Sequence, residues 1–546
     1  MKFLPLLETL LAERGVTEET RGEFLNPDFQ SLHDPLLLPD MEKARDRVVS
    51  AMKKGERIMI FSDYDADGIP GAVVLADFFR RAKYPNVTFY IPHRHDEGFG
   101  LNCEAIDKAK GEDAKLLITI DCGTADLEEA KYAKKQGIDL IVTDHHQEKD
   151  KLPVAVAVVN PHRKNSTYPF KDLCGAAVAY KLVQAILLKE RFDIKEGHEK
   201  WSLDMVGIAT LSDMVPLVGE NRIFAHFGLN VLRKSPRPGL AALLKRLAIN
   251  QTFLTEDDIA FMITPRINAA SRMGVPMDAF RLLSTDSLVE ADRLSLHLEK
   301  INNERKGIVA ALVKDAKGHL EKRGELPSVL VIGNPEWKPA LLGLVANTLV
   351  EEYMRPAFVW GRDGDGVIKG SCRSYNGYSL IEIMNGACGF IEYGGHTGAG
   401  GFSVGNDDIH TLEEKLSASL EKLEKKLEEV QEKFGSEIEV GDINEDLWGI
   451  VSQLAPFGVG NPKPVFRIPA DISSVRQFGK TKDHLEILLR SPKGRDVKAI
   501  SFFSDEDSFS TPLKPDMKAE VHAHLEKSYF MNRPELRLRI VDILKT

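Results

Sequence analysis

The chain has 546 residues, which predicts several domains, because a single hydrophobic core rarely organises more than about 250–300 residues. Its 43% hydrophobic and 28% charged residues are typical of a globular protein, and no apolar run is long enough for a membrane span. The net charge of −10 argues against a nonspecific nucleic-acid coat protein, although carboxylates that bind divalent cations would account for part of it.

The N-terminal stretch and the cysteines both indicate where the protein works. MKFLPLLETLLAERG is interrupted by Glu8 and Glu13, so no cleavable signal peptide is predicted. The 5 cysteines are scattered and form no C-x-x-C pair, which argues against a disulfide framework and a thiolate zinc site. We therefore expect a reducing, cytoplasmic location.

Strands alternate with helices between about residues 57 and 160. The apolar run RIMIF leads into the acidic loop SDYDADG, and GAVVLADFFRRA continues as a helix. Further strands are predicted at VTFYIP, LLITIDCG and DLIVTDHH, with the helix LEEAKYAKKQG before the last. This alternation predicts a mostly parallel α/β sheet, whose ligands bind beyond the carboxyl ends of the strands. Since the strands end in acidic or histidine-bearing loops, we expect these ends to converge on one site.

The rest of the chain predicts further domains. Residues 170–280 are predicted to be mainly helical, and a long polar helix follows over about 286–323. After GELP, the segments SVLVIGN and LLGLVANTLVEEY predict a second α/β domain that ends near GGHTGAGGFSV. The charged stretch TLEEKLSASLEKLEKKLEEVQEKF predicts a solvated helix. The strand-rich end, with HLEILLR, VKAISFF, KAEVHAHLE and ELRLRIVDIL, predicts a small β-barrel.

Carboxylates and imidazoles recur at the predicted strand ends. A hard or borderline cation such as Mn²⁺ or Mg²⁺ suits such ligands better than a soft ion. Closely spaced aspartates would repel one another without cations, and two ions about 3.5–4 Å apart would offset that repulsion and form a clamp for in-line phosphoryl chemistry. The side chains concerned are Asp63, Asp65, Asp67, Asp121, Asp144, His145, His146 and Asp213.

Each of these segments alone also fits a more ordinary interpretation. D-x-D-x-D-G is often a calcium loop or a surface turn, although the twelfth position of an EF-hand loop would be Val74 rather than glutamate. A His-His pair is commonly structural, and an aspartate at a strand end commonly caps a helix. Asp213, in an apolar helix, is also compatible with a salt-bridged structural residue. Their joint occurrence at the functional ends of an α/β frame favours catalysis.

Several motifs resemble a known family. DYDADG, IDCG, VTDHH and GIATLSDMVPL resemble the four motifs of the DHH phosphoesterase superfamily. TPRINAASRMG, LEKINNERK, GSCRS, GGHTGAGGF and APFGVGNPKPVF resemble the bacterial RecJ group of single-strand-specific exonucleases, in the order that the group has. The resemblance implies an α/β DHH catalytic domain over 1–285 with an N-terminal helical extension, and a connecting helix over 286–323. A DHH-associated α/β domain over 324–430 and an OB-fold-like barrel over 437–546 would follow.

The resemblance also implies roles for the clustered side chains. Asp121 would bridge two cations. Asp63 would either ligate a cation or orient the nucleophilic water, and His146 would contact the scissile phosphate and protonate the leaving oxygen. The implied ligands are Asp65 and Asp121 for one ion, and Asp67, His145 and Asp213 for the other.

Substrate contacts are implied in both α/β domains, and each has a structural alternative. The residues implied to lie along the DNA strand are Arg94, Arg266, Asn268 and Arg272, and those implied to bind a terminal phosphate are Ser371, Arg373 and His396. The arginines are also compatible with a surface turn or with structural salt bridges. In the barrel, Phe457, Tyr529 and Phe530 are compatible with base stacking and equally with core packing.

The sequence departs from the family pattern at a few positions. Phe61 stands where many superfamily members carry a metal-binding histidine, so one ion would be bound more weakly or be completed by Asp63. Lys338 and Ala340 replace the usual histidine and glycine, and Ser271 and Gly400 replace glycine and alanine. The core carboxylates and the DHH histidines are retained.

The implied function is a metal-dependent exonuclease that degrades single-stranded DNA from its 5′ end to mononucleotides, in DNA repair and recombination. Two Mn²⁺ or Mg²⁺ ions would be the cofactors, and single-stranded DNA the partner. A helicase and a single-strand-binding protein are candidate partners, and a monomer is expected because no oligomerisation stripe is visible. The alternatives are a DHH enzyme acting on short oligonucleotides, cyclic dinucleotides or pyrophosphate, and a catalytically silent replication or repair scaffold.

Overall fold

Two compact units make up the chain. The first combines Met1–Ser271, Val275–Leu298 and Lys433–Thr546, and the second combines Arg272–Gly274 and Glu299–Glu432. A computed structural model describes residues 3–94, 96–148, 150–362, 366–395, 397–423, 435–479, 482, 484–491, 494, 496–505, 508–509, 513–529 and 533–545.

A five-stranded parallel sheet lies in the first unit, in the order β2-β1-β3-β4-β5. Its strands are β1 (Arg57–Ser62), β2 (Val87–Tyr90), β3 (Ala114–Ile120), β4 (Asp139–Thr143) and β5 (Ala157–Val159). The central strands are almost wholly buried apolar runs, as is typical of parallel sheets. The strand β2 lies on one side of β1, and β3 lies on the other side. Such a switch in strand order leaves a crevice beyond the carboxyl ends of β1 and β3. The predicted parallel α/β sheet is confirmed.

Helices precede, separate and follow the strands of this sheet. They are α1 (Leu4–Glu13), α2 (Glu18–Leu25), α3 (Met41–Lys54), α4 (Gly68–Arg81), α5 (Cys103–Gly111), α6 (Leu127–Lys135), α7 (Gly175–Lys189), α8 (Leu203–Ser212), α9 (Gly219–Leu232), α10 (Pro238–Arg246), α11 (Thr264–Met273) and α12 (Pro276–Ser284). A π-helical turn over Asp258–Ile263 leads directly into α11. The long helix α13 (Leu288–Leu320) occupies the position of the predicted polar helix. Among the described helices, none combines the length and apolar character that crossing a bilayer demands.

The second unit contains a mixed five-stranded sheet in the order β6-β7-β8-β10-β9, in which only β6 and β7 pair in parallel. Its elements are β6 (Leu330–Gly333), α14 (Pro339–Tyr353), β7 (Ala357–Arg362), β8 (Ile368–Arg373), α15 (Leu380–Asn385), β9 (Phe390–Gly395), β10 (Ala399–Val404) and α16 (Leu412–Lys422). The predicted charged helix therefore begins as expected, and its continuation over 424–434 lies outside the described residues.

A closed barrel in the order β11-β12-β13-β15-β14 confirms the predicted C-terminal architecture. Its elements are α17 (Glu445–Val451), β11 (Phe466–Phe478), β12 (His484–Leu489), β13 (Val497–Phe502), β14 (Lys518–Ser528) and β15 (Glu535–Lys545). The strand β11 is not predicted from the sequence, because Pro469 and many polar residues weaken its strand pattern. The buried face of α1, with Leu7, Leu10 and Leu11, packs into the barrel core, although the sequence assigned this helix to the catalytic domain.

A buried ion network ties α4 to α8 and α10. Arg237 forms ion pairs with Asp77 and with Asp204 (Nε–Oδ2 2.6 Å), and the two aspartates are only 1% exposed. Arg80 also binds Asp77 (Nη2–Oδ1 2.5 Å) and reaches the exposed Asp286 (Nη1–Oδ2 2.6 Å). Burial alone would raise the pKa of Asp77, but the charge and hydrogen bonds of Arg237 lower it below its ordinary value.

Asp77→Asn is expected to lower the free energy of unfolding by about 3 kcal/mol, because it leaves the buried Arg237 with one partner fewer. Since the folded-state pKa is depressed, the stabilisation is present above about pH 4 and is lost as the pH falls further. Urea denaturation at pH 7 and below pH 4 measures both effects. Asp286→Asn, which removes an exposed partner of Arg80, is the matched control, and an equal loss there would contradict the assignment.

Candidate metal centre

The acidic loop after β1 is folded by its own carboxylates. Asp65 Oδ1 accepts hydrogen bonds from the backbone N–H groups of Asp67 (2.8 Å) and Gly68 (3.1 Å), which turns the chain into α4. Asp67 accepts hydrogen bonds of 2.6 and 2.7 Å from the first two N–H groups of α7, where the helix dipole favours negative charge. Asp63 and Asp67 are both buried, at 4% and 1% exposure. The loop thus presents its carboxylates in fixed positions.

Asp121 follows β3 with a left-handed backbone (φ 61°). This conformation costs a non-glycine residue about 1–2 kcal/mol. The N–H group of Asp121 donates to the carbonyl of Thr143 (2.9 Å), which holds the residue at the end of the sheet. Gly175 opposes it so closely that an added Cβ would lie 2.6 Å from the Cβ of Asp121. The fold therefore accepts local strain to aim this carboxylate into the crevice.

The segment after β4 is organised around a buried aspartate. Asp144 accepts hydrogen bonds from the backbone N–H of Thr124 (2.9 Å), His145 (2.7 Å) and His146 (3.2 Å), and its Oδ1 lies 2.7 Å from His146 Nδ1. Asn160, fully buried, donates to the carbonyl of His146 (2.8 Å). The two imidazoles are thereby held side by side with ring centroids 4.7 Å apart.

Three groups of side chains have ligand atoms within 4.8 Å of one another. His145 Nε2 lies 3.1 Å from Asp121 Oδ1, 3.6 Å from Asp67 Oδ2 and 3.8 Å from Asp213 Oδ2. Asp213 reaches the site from the end of α8. The groups are Asp63, Asp65 and Asp121; Asp67, His145 and Asp213; and Asp121, His145 and His146.

Burial and mutual repulsion act together on these carboxylates. Burial, followed by the neighbouring charge of Asp65, raises the pKa of Asp63 well above its ordinary value. Burial and the carboxylates of Asp67 and Asp65 raise the pKa of Asp121 well above its ordinary value. The same causes raise the pKa of Asp213 to about 9. Burial also raises the pKa of Asp67. Such a pocket is unfavourable for negative charge unless cations enter it.

The two histidines differ in their environment. Burial lowers the pKa of His145, which favours the neutral ring that a metal ion requires. Burial would also lower the pKa of His146, but its hydrogen bond with Asp144 and nearby negative charge raise it to about 9. His146 is the more exposed of the two, with 36% of its side chain accessible against 15% for His145. The first histidine suits a ligand, and the second suits a proton donor.

The residues present fit a pair of hard divalent cations. Asp63 Oδ1 and Asp121 Oδ1 are buried and accept no hydrogen bond from any part of the chain that the structure describes. Such buried oxygens without donors are costly unless an ion binds them. The donor set consists of carboxylate oxygens and imidazole nitrogen, with no thiolate, which matches Mn²⁺ or Mg²⁺.

Some residues predicted to contact substrate lie beside this centre. The Arg94 guanidinium lies 5.1 Å from the ring centre of Tyr64, and its charge acts on Asp63. Asn268 Oδ1 accepts from the N–H of Ala66 (3.0 Å), which ties α11 to the acidic loop. On the same helix, Arg266 is 2% exposed, and its Nη1 donates to the carbonyl of Met262 (2.8 Å).

Other predicted residues lie in the second unit. Ser371 and Arg373 occupy one face of β8, where a Cβ on Gly343 would lie 2.9 Å from Arg373 Nη2 and 3.6 Å from Ser371 Cβ. Arg272 Nη1 donates to the carbonyl of Ala340 at the start of α14 (2.8 Å). His396 lies outside the described residues.

Phe61, Phe457 and Tyr529 have packing partners within the protein. Phe61 is fully buried and stacks on Tyr90 with ring centroids 5.8 Å apart, so it is a core residue. Phe457 is 8% exposed and belongs to the barrel core, whereas Tyr529 stacks on Phe253 at 4.1 Å. Phe530 lies outside the described residues.

Sequence reasoning missed two features of the centre. Asp144 lies within VTDHH, but its hydrogen bond to Thr124 joins the loops of two strands, which no local pattern predicts. Phe99, which is 59% exposed, contacts the ring of His146 edge to face with centroids 5.6 Å apart. In the sequence, the available signal is a large apolar residue flanked by glycines, Gly98-Phe99-Gly100.

Family models match three parts of the chain. The DHH family N-terminal domain matches residues 57–210, the DHHA1 domain matches 326–429, and the RecJ OB domain matches 435–542. The chain is 33% identical over 548 residues to the single-stranded-DNA-specific exonuclease RecJ of Bacillus subtilis strain 168, covering 99% of this chain and 68% of that relative.

Solved structures show the same architecture. The crystal structure of RecJ from Thermus thermophilus in complex with Mn²⁺ superposes with a TM-score of 0.81 at 26% identity, covering 99% of this chain and 76% of that one. The structure of the same protein with Mg²⁺ gives a TM-score of 0.75 at 25% identity, with 99% and 75% coverage.

Proposed function

The chain belongs to the RecJ family of single-stranded-DNA-specific exonucleases, and on that premise we propose that it removes mononucleotides from the 5′ end of single-stranded DNA with Mn²⁺ or Mg²⁺ as its cofactor. The observation that carries this proposal is the meeting of three potential cation-binding groups at the ends of β1, β3 and β4. Asp63 Oδ1 and Asp121 Oδ1 are buried and accept no hydrogen bond within the described residues, and Asp121 adopts a left-handed backbone, as expected where cations supply the missing partners.

The ligand assignment follows from the grouping of atoms. When bound, two such cations would activate a water molecule and stabilise the charge that develops on the scissile phosphate. Asp121 groups with Asp63 and Asp65, and its Oδ1 lies 3.1 Å from Nε2 of His145 in the other set, which supports its assignment as the shared ligand. Asp65 and Asp63 complete one set, with Asp63 taking the place of the histidine that Phe61 replaces. Asp67, His145 and Asp213 complete the other.

His146 is the proposed proton donor to the leaving oxygen. Asp144 orients its ring through Nδ1 and keeps it charged, so Nε2 is available to substrate. Beside it, the exposed face of Phe99 offers a surface on which a terminal base stacks. Asn268 holds the acidic loop through its hydrogen bond with Ala66. Arg94, beside Tyr64, is the proposed contact for the approaching phosphates.

Features outside the metal centre support a long single strand as substrate. An OB-type barrel tracks single-stranded nucleic acid through its groove and aromatic side chains. In the second unit, Ser371, Arg373 and His396 are the proposed receptors for a terminal 5′ phosphate, since an arginine fork binds phosphate bidentately. A helicase would supply such strands from duplex during repair and recombination, a single-strand-binding protein would meet the same substrate, and the enzyme would act as a monomer.

A digest of DNA labelled separately at each end tests the proposal. With Mn²⁺ and radiolabelled single strands, we expect a 5′ label to appear at once as mononucleotide and a 3′-labelled strand to shorten gradually. Blunt duplex DNA of the same sequence should resist digestion. The same reactions in EDTA, and with cyclic dinucleotides or dinucleotides, are the controls.

Release of the 3′ label first would refute the proposed polarity. Activity confined to dinucleotides or cyclic dinucleotides would replace the exonuclease proposal with the alternative DHH activity. Absence of any hydrolysis, with normal Mn²⁺ binding, would instead indicate a silent scaffold.

A further inference from the structure

A glycine- and proline-rich segment precedes the barrel. Residues 455–463 (Ala-Pro-Phe-Gly-Val-Gly-Asn-Pro-Lys), here called the connector, follow the turn Ser452–Leu454 and lead to β11. We propose that the connector is a positioning element that holds the loop after Asp213, and through it that carboxylate, in the metal centre. The inference rests on the proposed function, in which Asp213 is a cation ligand.

The loop that carries Asp213 into the site needs external support. Asp213 ends α8, and Met214 then adopts a left-handed backbone (φ 58°) with its side chain 69% exposed. Within the next few residues, Leu217 is buried at 1% exposure, and its N–H donates to the carbonyl of Val459 in the connector (2.7 Å). On the opposite side, Asn221 donates to the carbonyl of Pro216 (3.1 Å). The loop is therefore held between α9 and the connector.

Side-chain packing makes this contact closer still. A Cβ added to Gly458 would lie 2.8 Å from Leu217 Cδ1 and 3.3 Å from its Cγ. Because Leu217 is enclosed, it has little space into which to move. A larger residue at 458 would therefore have to displace Leu217, although the two chain segments are more than two hundred residues apart in sequence.

The connector is itself rigid. Gly458 and Asn461 exchange backbone hydrogen bonds of 3.0 and 3.1 Å. The fully buried side chain of Asn461 donates to the carbonyls of Leu454 and Pro456, each at 2.8 Å, and accepts from Arg14 Nε at 2.7 Å. A preorganised segment of this kind transmits position, whereas a flexible linker would not.

The connector is also anchored to the catalytic α/β domain. Arg222 of α9 donates from Nη2 to the carbonyl of Ala455 (3.0 Å) and from Nη1 to that of Pro456 (3.4 Å). Lys463 forms an ion pair with Asp257, at the start of the π-helical turn that leads into α11. Ser212, adjacent to Asp213, contacts Thr264 at the start of α11 (Oγ–Oγ1 2.5 Å). The same segment therefore supports both helices that reach the metal centre from this side.

Metal affinity is the quantity that this arrangement controls. Partners that orient metal ligands typically contribute about 10–100-fold to affinity when they are altered. Gly458→Val is expected to displace Leu217 and to weaken the Mn²⁺ site that includes Asp213 about tenfold. Gly449→Val is the matched control, because a Cβ on Gly449, in α17 just before the connector, would meet nothing within 4 Å.

Calorimetric titration of the full metal-free chain with Mn²⁺, without DNA, measures the effect. Binding of single-stranded DNA in EDTA, measured by fluorescence anisotropy, should stay within about twofold of wild type, because the barrel is retained. Circular dichroism and thermal unfolding in EDTA establish that the variants are folded. Asn461→Ala, which loosens the connector without adding volume, should shift Mn²⁺ affinity in the same direction.

Wild-type Mn²⁺ affinity in folded Gly458→Val or Asn461→Ala would overturn the inference. So would an equal loss in Gly449→Val, or loss of DNA affinity with unchanged Mn²⁺ binding. If Gly458→Val does not fold, the Asn461→Ala titration decides. Because the titration contains no DNA, a chain that binds Mn²⁺ as expected yet digests no strand would contradict the proposed function and leave the connector's role standing.

Discussion

Asp121→Asn is expected to lower the rate of single-strand digestion at saturating substrate by at least about 10³-fold, while the affinity for single-stranded DNA in EDTA stays unchanged. Asp121 groups with Asp63 and Asp65, and its Oδ1 lies 3.1 Å from His145 Nε2, so its replacement would affect both of the proposed ions. Asparagine keeps the size of the side chain and tolerates the left-handed backbone, so the change isolates the charge. Initial rates across Mn²⁺ concentrations, together with anisotropy for DNA, measure the two effects.

Stability gives this variant a second readout of opposite sign. The pKa of Asp121 is raised by burial and by neighbouring carboxylates, so its ionisation opposes folding as the pH rises above about 4. Without metal at pH 7, Asp121→Asn should therefore unfold at the same temperature as wild type or higher. Added Mn²⁺ should raise the unfolding temperature of wild type much more than that of the variant, because ligand that binds only the folded state stabilises it.

Asp113→Asn is the control for both measurements. Asp113 flanks the other end of β3 with the same left-handed backbone (φ 60°), and its exposed side chain pairs with Lys115 at 2.6 Å. This variant should digest DNA at the wild-type rate. Retained activity in Asp121→Asn, or an equal loss in Asp113→Asn, would remove Asp121 from the centre.

Asp144→Asn is expected to lower kcat by about 10²–10³-fold with little change in KM for single-stranded DNA. Asp144 accepts hydrogen bonds from the backbone of Thr124, His145 and His146 and from the His146 ring, and an amide provides only one accepting atom. The variant should therefore leave the imidazoles misaligned and His146 less readily charged. Since Asp144 itself is not a proposed ligand or substrate contact, the loss should fall on the chemical step.

Steady-state kinetics on a single-stranded oligonucleotide separate kcat from KM for this variant. Asp139→Asn, at the opposite end of β4, removes a half-exposed carboxylate that pairs with Arg47 (Nε–Oδ2 2.6 Å), and it should behave as wild type. A rise in KM without a fall in kcat would assign Asp144 a role in DNA binding instead. A similar loss in Asp139→Asn would indicate general disruption of β4.

Local patterns were sufficient for the first α/β domain. The strand β1 and the acidic loop after it are contiguous, so a run of buried residues followed by Asp63, Asp65 and Asp67 predicts both the strand and the loop. Parallel strands end at the same edge of the sheet, so the sequence also predicts that Asp121 and His145 lie close to these three aspartates. The sequence could not show that Phe61 stacks in the core, because its partner Tyr90 lies on a neighbouring strand.

Long-range contacts account for what the sequence analysis missed. The strand β11 is stabilised by hydrogen bonds to both β12 and β14, which compensate for its poor strand pattern. The apolar face of α1 does not by itself specify which hydrophobic core it packs against, and only the folded structure shows that this is the barrel core. The role proposed for the connector likewise depends on its contact with Leu217, which lies too far away in the sequence for a local pattern to predict.

The sequence alone determined the strands β1 to β4 of the first sheet, their order along the chain and the residue types suited to bind cations, because propensity, hydrophobic period and motif spacing are properties of neighbouring residues. Only the tertiary structure decided which carboxylates lie within 4.8 Å of one another, which aspartate binds the His146 ring, and which segment hydrogen-bonds to the loop after Asp213. Those relations depend on strand order, on the left-handed backbone of Asp121 and on hydrogen bonds between distant segments. They are settled by packing and by the pairing of buried polar groups over the whole chain, not by any local stretch of it.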